Sequence, residues 1–183
     1  MLFLSEQCIS QNKIFDGKIL STRVDKVKLP NGREATREIV EHKPAVGMLA
    51  LTNHKSVLLV KQYRYAVDED TLEICAGLIE PGEEPKDAAS REMQEEMGYK
   101  PGKLIKIGGF YASPGFCTEF VDIFIAEDLI ESKLPQDDDE DVHVQEVAYK
   151  DIPKLMADGT IRDSKTYAAL AWLMAREKIS PEF

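Results

Sequence analysis

A cluster of glutamates on one short segment is the sequence feature that most restricts what this chain can fold into. Residues 86–97 are rich in helix-forming residues and are followed by Gly98, a residue typical of the position after a helix. At about 100° per residue, three carboxylates of the predicted helix fall within one sector of roughly 100°: Glu92, Glu95 and Glu96. Like charges at this spacing oppose helix formation by a few tenths of a kcal/mol per pair, so the pattern calls for a compensating partner.

A divalent cation is a partner that would make such a cluster tolerable. Mg²⁺ prefers carboxylate oxygens and keeps several waters, which suits substrate phosphates as further ligands. The alternative, for any segment of the form E-x-x-E-E, is a solvated acidic face, and we expect these carboxylates to be exposed to solvent. The preceding loop favours the metal, since Gly77 is expected to allow a tight turn and Pro81-Gly82 to fix the bend before Glu83. Arg91 can orient Glu95 four residues later, or form an ordinary i,i+4 pair with it.

Residues 77–99 resemble the signature of the Nudix hydrolase family. That signature is G-x5-E-x7-R-E-U-x-E-E-x-G-U, with U bulky and apolar, and every fixed position matches, with the aromatic Tyr99 in the last U place. The resemblance implies an α/β fold, an α/β/α sandwich around a mixed β-sheet, and attack of water on a diphosphate. It also implies a Mg²⁺ cofactor, with Mn²⁺ as an alternative. Arg91 would hold the carboxylates in place and, with Glu95, belongs to the implied catalytic residues. The implied metal ligands are Ala76 (through its carbonyl), Glu83, Glu92, Glu95 and Glu96.

Strand patterns on both sides of the acidic helix agree with a sandwich. Polarity alternates over residues 14–28 around a turn at Asp16-Gly17, and a second turn at 29–32 leads to a strand at 36–40. These segments predict an N-terminal β-strand arm, residues 1–43, ahead of a Nudix domain at 44–183. An arm of about 40 residues of β-ribbon needs a second surface to cover it, which predicts a homodimer that exchanges strands. The other predicted elements are strands at 45–51, 56–63, 104–111, 120–126 and 142–149, a short apolar run at 72–79, and a helix at 163–178.

Outside the signature, several segments resemble the ADP-ribose pyrophosphatase subfamily. Pro114 lies in a Ser-Pro-Gly turn 16 residues beyond Gly98, where the subfamily carries a marker proline, although such a turn is ordinarily just a loop. Residues 36–42 resemble its R-E-I/V-x-E segment, in which Arg37 and Glu38 would reach the adenosine part of the substrate, often across a dimer interface. The alternative for that segment is an edge strand with charged residues that prevent aggregation.

Four further substrate or catalytic residues come from the same resemblance. Arg64 matches the arginine that contacts the diphosphate, a task suited to a bidentate guanidinium. The acidic run at 136–141 lies where the subfamily carries a mobile loop, whose glutamate acts as general base or extra metal ligand. Glu140 is the best match and Asp138 the runner-up, although a charge run is usually just solvated. Glu119 would contact the substrate or the partner subunit.

Composition limits the partners and the compartment. The net charge is −10, from 33 acidic and 23 basic residues, so nucleic acid and anionic membrane are poor partners. No apolar run approaches the roughly 20 residues that cross a bilayer, and the N-terminal residues do not resemble a signal peptide. The 3 cysteines are widely spaced and form no CxxC pair, which is typical of reduced thiols in a cytoplasmic protein.

The sequence therefore predicts a cytoplasmic, homodimeric enzyme that hydrolyses ADP-ribose to AMP and ribose 5-phosphate. Another nucleoside diphosphate sugar or a dinucleotide remains an alternative substrate, because the signature reports the diphosphate chemistry and not the group attached to it. A non-catalytic nucleotide sensor is the alternative from another class. Such modules usually lose a signature carboxylate or gain a DNA-binding domain, and the signature here keeps all of its carboxylates.

Overall fold

The computed structural model describes residues 5–136 and 141–179, which divide into two compact units. Of the described residues, one unit comprises 5–44 with 111–120, and the other 45–110 with 121–136 and 141–179. Within the described ranges, no helix is long and apolar enough to span a bilayer.

The first unit is built on an antiparallel sheet of three strands in the order β1-β2-β3. These are β1 (Gln7–Asp16), β2 (Leu20–Lys28) and β3 (Glu34–His42). The turn after Asp16 is closed by a hydrogen bond from Gly17 N to Leu20 O at 3.0 Å. The next turn depends on Gly32, whose φ of 85° lies in the region that favours glycine. Both predicted turns are therefore present, and the third strand is longer than the predicted 36–40.

The loop that contains Pro114 is attached to β3 within the same unit. Val40 N donates to Phe116 O at 2.8 Å, and Thr118 N donates to Val40 O at 3.0 Å. These bonds form a parallel bridge between Val40 and Cys117. Because the N–H and C=O of one strand residue point the same way, the loop occupies the edge of β3 that faces away from β2.

The second unit contains a seven-stranded mixed sheet in the order β10-β5-β4-β9-β8, with β6 paired to β5 and β7 paired to β4. Only β4 and β9 run parallel among the described pairings with a register, matching residues 45–50 to 121–126. The strands are β4 (Ala45–Leu51), β5 (Ser56–Arg64), β6 (Glu69–Glu73), β7 (Cys75–Leu78), β8 (Tyr99–Tyr111), β9 (Phe120–Glu131) and β10 (Val142–Ala148).

Alternating side chains of this sheet build two separate hydrophobic cores, one on each face. On β4, Leu49 and Leu51 belong to one core, whereas Val46 and Met48 belong to the other. The first core includes residues of α2 (Ile152–Ala157) and α3 (Ser164–Glu177), and the second includes residues of α1 (Pro85–Glu92). Helices therefore cover both faces, which confirms the α/β/α sandwich around a mixed sheet.

Several predicted elements differ from the structure: β8 begins five residues earlier than predicted, and β9 ends five residues later. The apolar run 72–79 is divided between β6, which pairs with β5, and β7, which pairs with β4. The predicted helix 86–97 is α-helical only as far as Glu92 and continues as a π-helical turn, Met93–Met97, before Gly98 at φ 75°. Apolar runs report burial and not continuity of pairing, and a π-helical turn has no sequence signature. The short helix α2, of six residues, and the 3₁₀ turn Tyr149–Asp151 were not predicted.

The first turn of α3 is tied to the sheet through its capping residue. Asp163 Oδ2 accepts from Thr166 N at 2.9 Å and from Thr166 Oγ1 at 2.6 Å. The same hydroxyl of the fully buried Thr166 accepts from Ile74 N at 2.8 Å. One carboxylate thus stabilises the helix N-terminus and the strand junction between β6 and β7.

We expect Asp163→Ala to lower the free energy of unfolding by about 1–2 kcal/mol, because the cap and the orientation of Thr166 are lost together. Urea unfolding monitored by circular dichroism measures this value. Asp151→Ala is the matched control, since Asp151 occupies the N-cap position of α2 but makes no side-chain capping bond. Equal losses of stability in the two variants would contradict the assignment.

Candidate active site

Gly77 creates the space in which the carboxylate of Glu92 lies. A Cβ built on Gly77 would stand 1.9 Å from Glu92 Cδ, so no other residue fits beside this side chain. Gly77 lies inside β7 opposite Val46, and its φ is not positive. The expected tight turn at this glycine is therefore wrong. The glycine is required because a helix side chain packs directly against the strand backbone.

Arg91 joins three of the signature carboxylates through one guanidinium. Nε and Nη2 donate to the two oxygens of Glu83 at 2.9 and 3.0 Å. Nη1 donates to Glu92 Oε1 at 2.7 Å and to Glu95 Oε2 at 2.9 Å. Nη2 also donates to Leu78 O at 3.0 Å, which fixes the group to the end of β7. Arg91 therefore binds three carboxylates and a backbone carbonyl, whereas the i,i+4 alternative involved Glu95 alone.

These bonds shift the acid–base equilibria of both partners. The hydrogen bond to Glu83 is the main cause that raises the pKa of Arg91, and burial opposes it. The hydrogen bonds from Arg91 hold the pKa of Glu83 below its ordinary value. Glu83 also accepts from Glu80 N at 3.0 Å. Glu83 is therefore ionised at neutral pH and anchors the guanidinium.

Glu96 differs from the expectation, because it is buried and not exposed to solvent. Its exposed fraction is 6%, and it lies in the π-helical turn with the buried Met93 and Met97. Its Oε2 accepts from Ala76 N at 3.3 Å. Single π-helical turns within α-helices are rare and occur frequently at functional sites.

The donor set fits a hard divalent cation. The four signature glutamates, Glu83, Glu92, Glu95 and Glu96, offer carboxylate oxygens, which are the ligands that Mg²⁺ prefers. Glu92 and Glu96 both approach the backbone of Ala76 and Gly77, so the two side chains converge on one point of β7. Within residues 5–136 and 141–179, no group of three or more His, Cys, Asp or Glu side chains already encloses a metal position. Arg91 instead supplies the positive charge that holds Glu92 and Glu95 together.

The guanidinium of Arg64 lies in a bidentate pair with a residue that sequence reasoning missed. Its Nε and Nη2 donate to the two oxygens of Glu73, each at 2.8 Å. Glu73 ends β6 and is only 2% exposed, whereas the Arg64 side chain is 44% exposed. Burial would raise the pKa of Glu73, but the hydrogen bonds from Arg64 and the charge of Lys165 outweigh it and lower the pKa to about 2. The one signal in the sequence was an acidic residue between Leu72 and Ile74 in an apolar run.

Three of the predicted substrate-binding residues belong to the first unit. Arg37 and Glu38 are neighbours on β3, so their side chains leave opposite faces of its sheet. Arg37 forms a bidentate pair with Glu6, and its Nε–Oε2 distance is 3.0 Å. Glu119 Oε1 lies 3.9 Å from His42 Nδ1. Contacts of these residues with a substrate stay predictions, and Asp138 and Glu140 lie outside the described residues.

Comparison with known proteins agrees with the fold. Residues 41–170 match the NUDIX domain, and residues 6–40 match the nucleoside diphosphate sugar hydrolase N-terminal domain. The chain therefore belongs to the Nudix family, a class of hydrolases. The boundary predicted at residue 43 was inferred from turns and strands alone, and it stays a prediction.

Individual relatives extend the likeness over the whole chain. An ADP-ribose pyrophosphatase of Bacillus subtilis is 42% identical over 184 residues, which is 100% of both chains. A methanol dehydrogenase activator of Bacillus methanolicus is 36% identical over 95% of each chain. The crystal structure of an ADP compounds hydrolase has a TM-score of 0.86 at 20% identity, covering 98% of this chain and 100% of that one, and it supports the fold.

We expect Gly77→Ala to lower the rate of diphosphate hydrolysis by about tenfold or more, because the added methyl group displaces the Glu92 carboxylate. The measurement is the initial rate per folded protein, with the folded fraction taken from thermal unfolding. Gly47→Ala is the matched control on the neighbouring β4. Its added Cβ would meet the flexible end of Ile74 at 2.9 Å. The control should lose stability and keep its activity, and full activity in Gly77→Ala would refute the role of the glycine.

Proposed function

We propose that this protein hydrolyses ADP-ribose to AMP and ribose 5-phosphate with Mg²⁺, for which Mn²⁺ can substitute. The observation that carries the proposal is the set of carboxylates that Arg91 and Gly77 hold against β7. The choice of substrate is supported by the full-length likeness to an ADP-ribose pyrophosphatase. One water is consumed: its oxygen bonds to one phosphorus as the bridging P–O bond breaks.

The metal ligands are assigned to Glu92, Glu95 and Glu96, with the backbone carbonyl of Ala76. A bound divalent cation would neutralise charge on the phosphate oxygens and acidify the attacking water. The Gly77 recess fixes the position of Glu92, and the hydrogen bond to Ala76 N fixes that of Glu96. Both carboxylates are thus oriented before any ligand arrives, which lowers the cost of assembling the site.

Arg91 and Glu83 act together as a support for the carboxylates. The two bonds between Glu83 and Arg91 direct the remaining Nη1 of Arg91 toward Glu92 and Glu95. Glu83 therefore acts mainly by orienting Arg91, and its place among the metal ligands is secondary. Arg64 is assigned to the diphosphate through the part of its side chain that is exposed.

The remaining assignments complete the proposal. Glu140, with Asp138 as the alternative, is the proposed general base, and Glu119, Arg37 and Glu38 are the proposed contacts with the rest of the substrate. A cytoplasmic location remains a prediction from the cysteine pattern. The proposed partner is a nucleoside diphosphate sugar, with no role for nucleic acid or membrane.

We expect ADP-ribose to be hydrolysed with the highest kcat/KM in a panel that also contains ADP-mannose, NADH and a diadenosine polyphosphate. The assay separates nucleotide products by chromatography, with Mg²⁺ present and with chelator. AMP and ribose 5-phosphate should form in equal amounts, and only with the cation. A preference of about tenfold or more for another compound would reject ADP-ribose and leave the diphosphate chemistry in place.

In the same assay, Glu96→Gln should lower kcat by about 100-fold or more, because an isosteric amide is a poorer ligand for the cation. Glu127→Gln is the control, since Glu127 is bound to Lys103 and Arg176 and lies outside the signature. Isothermal titration calorimetry should show weaker Mn²⁺ binding by Glu96→Gln, and unchanged Mn²⁺ binding by Glu127→Gln. Activity within a few-fold of the unaltered protein would remove Glu96 from the ligand set.

We also propose that the N-terminal arm forms a homodimer. Every residue of β1 is exposed, and Ile14 and Phe15 are 61% and 55% exposed. Apolar side chains on an uncovered sheet favour a second copy as the cover. Sedimentation velocity should show a dimer at micromolar concentration, and Ile14→Lys should shift the protein toward the monomer. A monomeric unaltered chain under these conditions would reject the arm as a dimer element.

A further inference from the structure

Glu73 is a buried carboxylate that the proposed reaction leaves without a role. It is 2% exposed and lies between Leu72 and Ile74, which are 5% and 0% exposed. An ionised side chain at such a position is costly unless it is paired and hydrogen-bonded. Its bonds come from two cations and one hydroxyl, Arg64, Lys165 and Thr71.

The pair between Glu73 and Arg64 restricts the arginine side chain strongly. Two parallel hydrogen bonds of 2.8 Å define both the position and the plane of the guanidinium. They use Nε and one hydrogen of Nη2, so the pair leaves three of the five N–H donors of Arg64 for other groups. The Arg64 side chain is 44% exposed, so part of it is accessible to a ligand.

Lys165 supplies a second positive charge to the same carboxylate. Its Nζ bonds to Glu73 and, at 3.0 Å, to Asp163 Oδ1, next to the cap of α3. The four side chains Arg64, Lys165, Glu73 and Asp163 carry two positive and two negative charges. Lys165 compensates part of the charge of Glu73, so the carboxylate that fixes Arg64 is not balanced by Arg64 alone.

We propose that Glu73 is a positioning residue for Arg64: its carboxylate holds the guanidinium in the orientation that binds the diphosphate, and Lys165 maintains the charge balance. This inference rests on the proposed function, in which Arg64 contacts the diphosphate. The charge of Glu96, a candidate metal ligand, is also among the lesser causes that raise the pKa of Arg64, after its hydrogen bond to Glu73.

Charge and position give opposite expectations for Glu73→Gln. The substitution removes one negative charge near the site of an anionic substrate, so a purely electrostatic effect would lower KM. Glutamine has a single acceptor oxygen in the place of two, so the bidentate pair is lost and Arg64 gains freedom. Positioning therefore predicts a fall in kcat/KM even though the site becomes more positive.

A double-mutant cycle tests the proposal on the full-length protein. We expect Glu73→Gln to lower kcat/KM for ADP-ribose by about tenfold or more in the unaltered chain. In the Arg64→Ala background the same substitution should change kcat/KM by less than about twofold, because a residue that acts through Arg64 has nothing left to position. Glu73→Asp, which keeps two acceptor oxygens, should recover part of the loss.

Glu69→Gln is the matched control on the same strand, since Glu69 pairs with Arg162 on the surface at 3.0 Å. It should leave kcat/KM unchanged. The proposal would be overturned if Glu73→Gln lowered kcat/KM by the same factor in the unaltered chain and in the Arg64→Ala background. A fall in KM with unchanged kcat would also overturn it. Thermal unfolding of each variant, measured in parallel, identifies any loss that comes from a smaller folded fraction.

Arg64→Lys keeps the inference testable if Glu73→Gln does not fold. Lysine retains the positive charge but cannot form two parallel bonds, so kcat/KM should fall almost as far as in Arg64→Ala. Near-normal activity in Arg64→Lys would overturn the proposal. Failure of the function itself is distinct, since the unaltered protein would then not hydrolyse ADP-ribose at all.

Discussion

The hydrogen bonds of Arg91 are the constraint on which the candidate site depends. Without the positive charge of Arg91, the carboxylates of Glu83, Glu92 and Glu95 would repel one another. The helix that carries Glu92 and Glu95 would then lose stability at its C-terminal end. One guanidinium satisfies oxygens from all three and is itself fixed to Leu78 O. The spacing of the signature follows from this geometry, since Glu83 must precede the helix and Glu92 and Glu95 must follow Arg91 on it.

The sheet gives that group of side chains a rigid support. β7 pairs with β4 over residues 75–78, and β4 is completely buried between the two cores. Interiors of this kind are closely packed and deform little. Glu92 against Gly77 and Glu96 against Ala76 N are therefore held by a backbone that does not yield, which is what preorganised catalysis requires.

Sequence reasoning was most successful where local chemistry determines structure. The turns at Gly17 and Gly32, both ends of β4, the starts of β5, β9 and β10, the cap at Asp163 and the end of the helix at Gly98 were all predicted from local signals. Sequence reasoning was less successful where contacts between distant parts of the chain determine the exposure or the partners of a residue. The exposure of Glu96 depends on a π-helical turn, and the purpose of Gly77 depends on a side chain fifteen positions later. Glu73 was missed for the same reason, because its partners Arg64 and Lys165 lie on β5 and α3 and meet only in the folded chain.

The second unit contains two groups of charged side chains, around Glu73 and around Arg91, and they differ in net charge. Around Glu73, two cations face the two carboxylates Glu73 and Asp163, so the group is neutral and the carboxylate of Glu73 can be buried. Around Arg91, one cation faces three carboxylates, Glu83, Glu92 and Glu95, which leaves two negative charges among these four side chains. A neutral group is suited to holding other parts in place, whereas an excess of carboxylate favours a divalent cation. That difference also indicates how a chain with a net charge of −10 can accept an anionic diphosphate: the divalent cation would provide the local positive charge that the rest of the surface lacks, and Arg64 would supply hydrogen-bond donors.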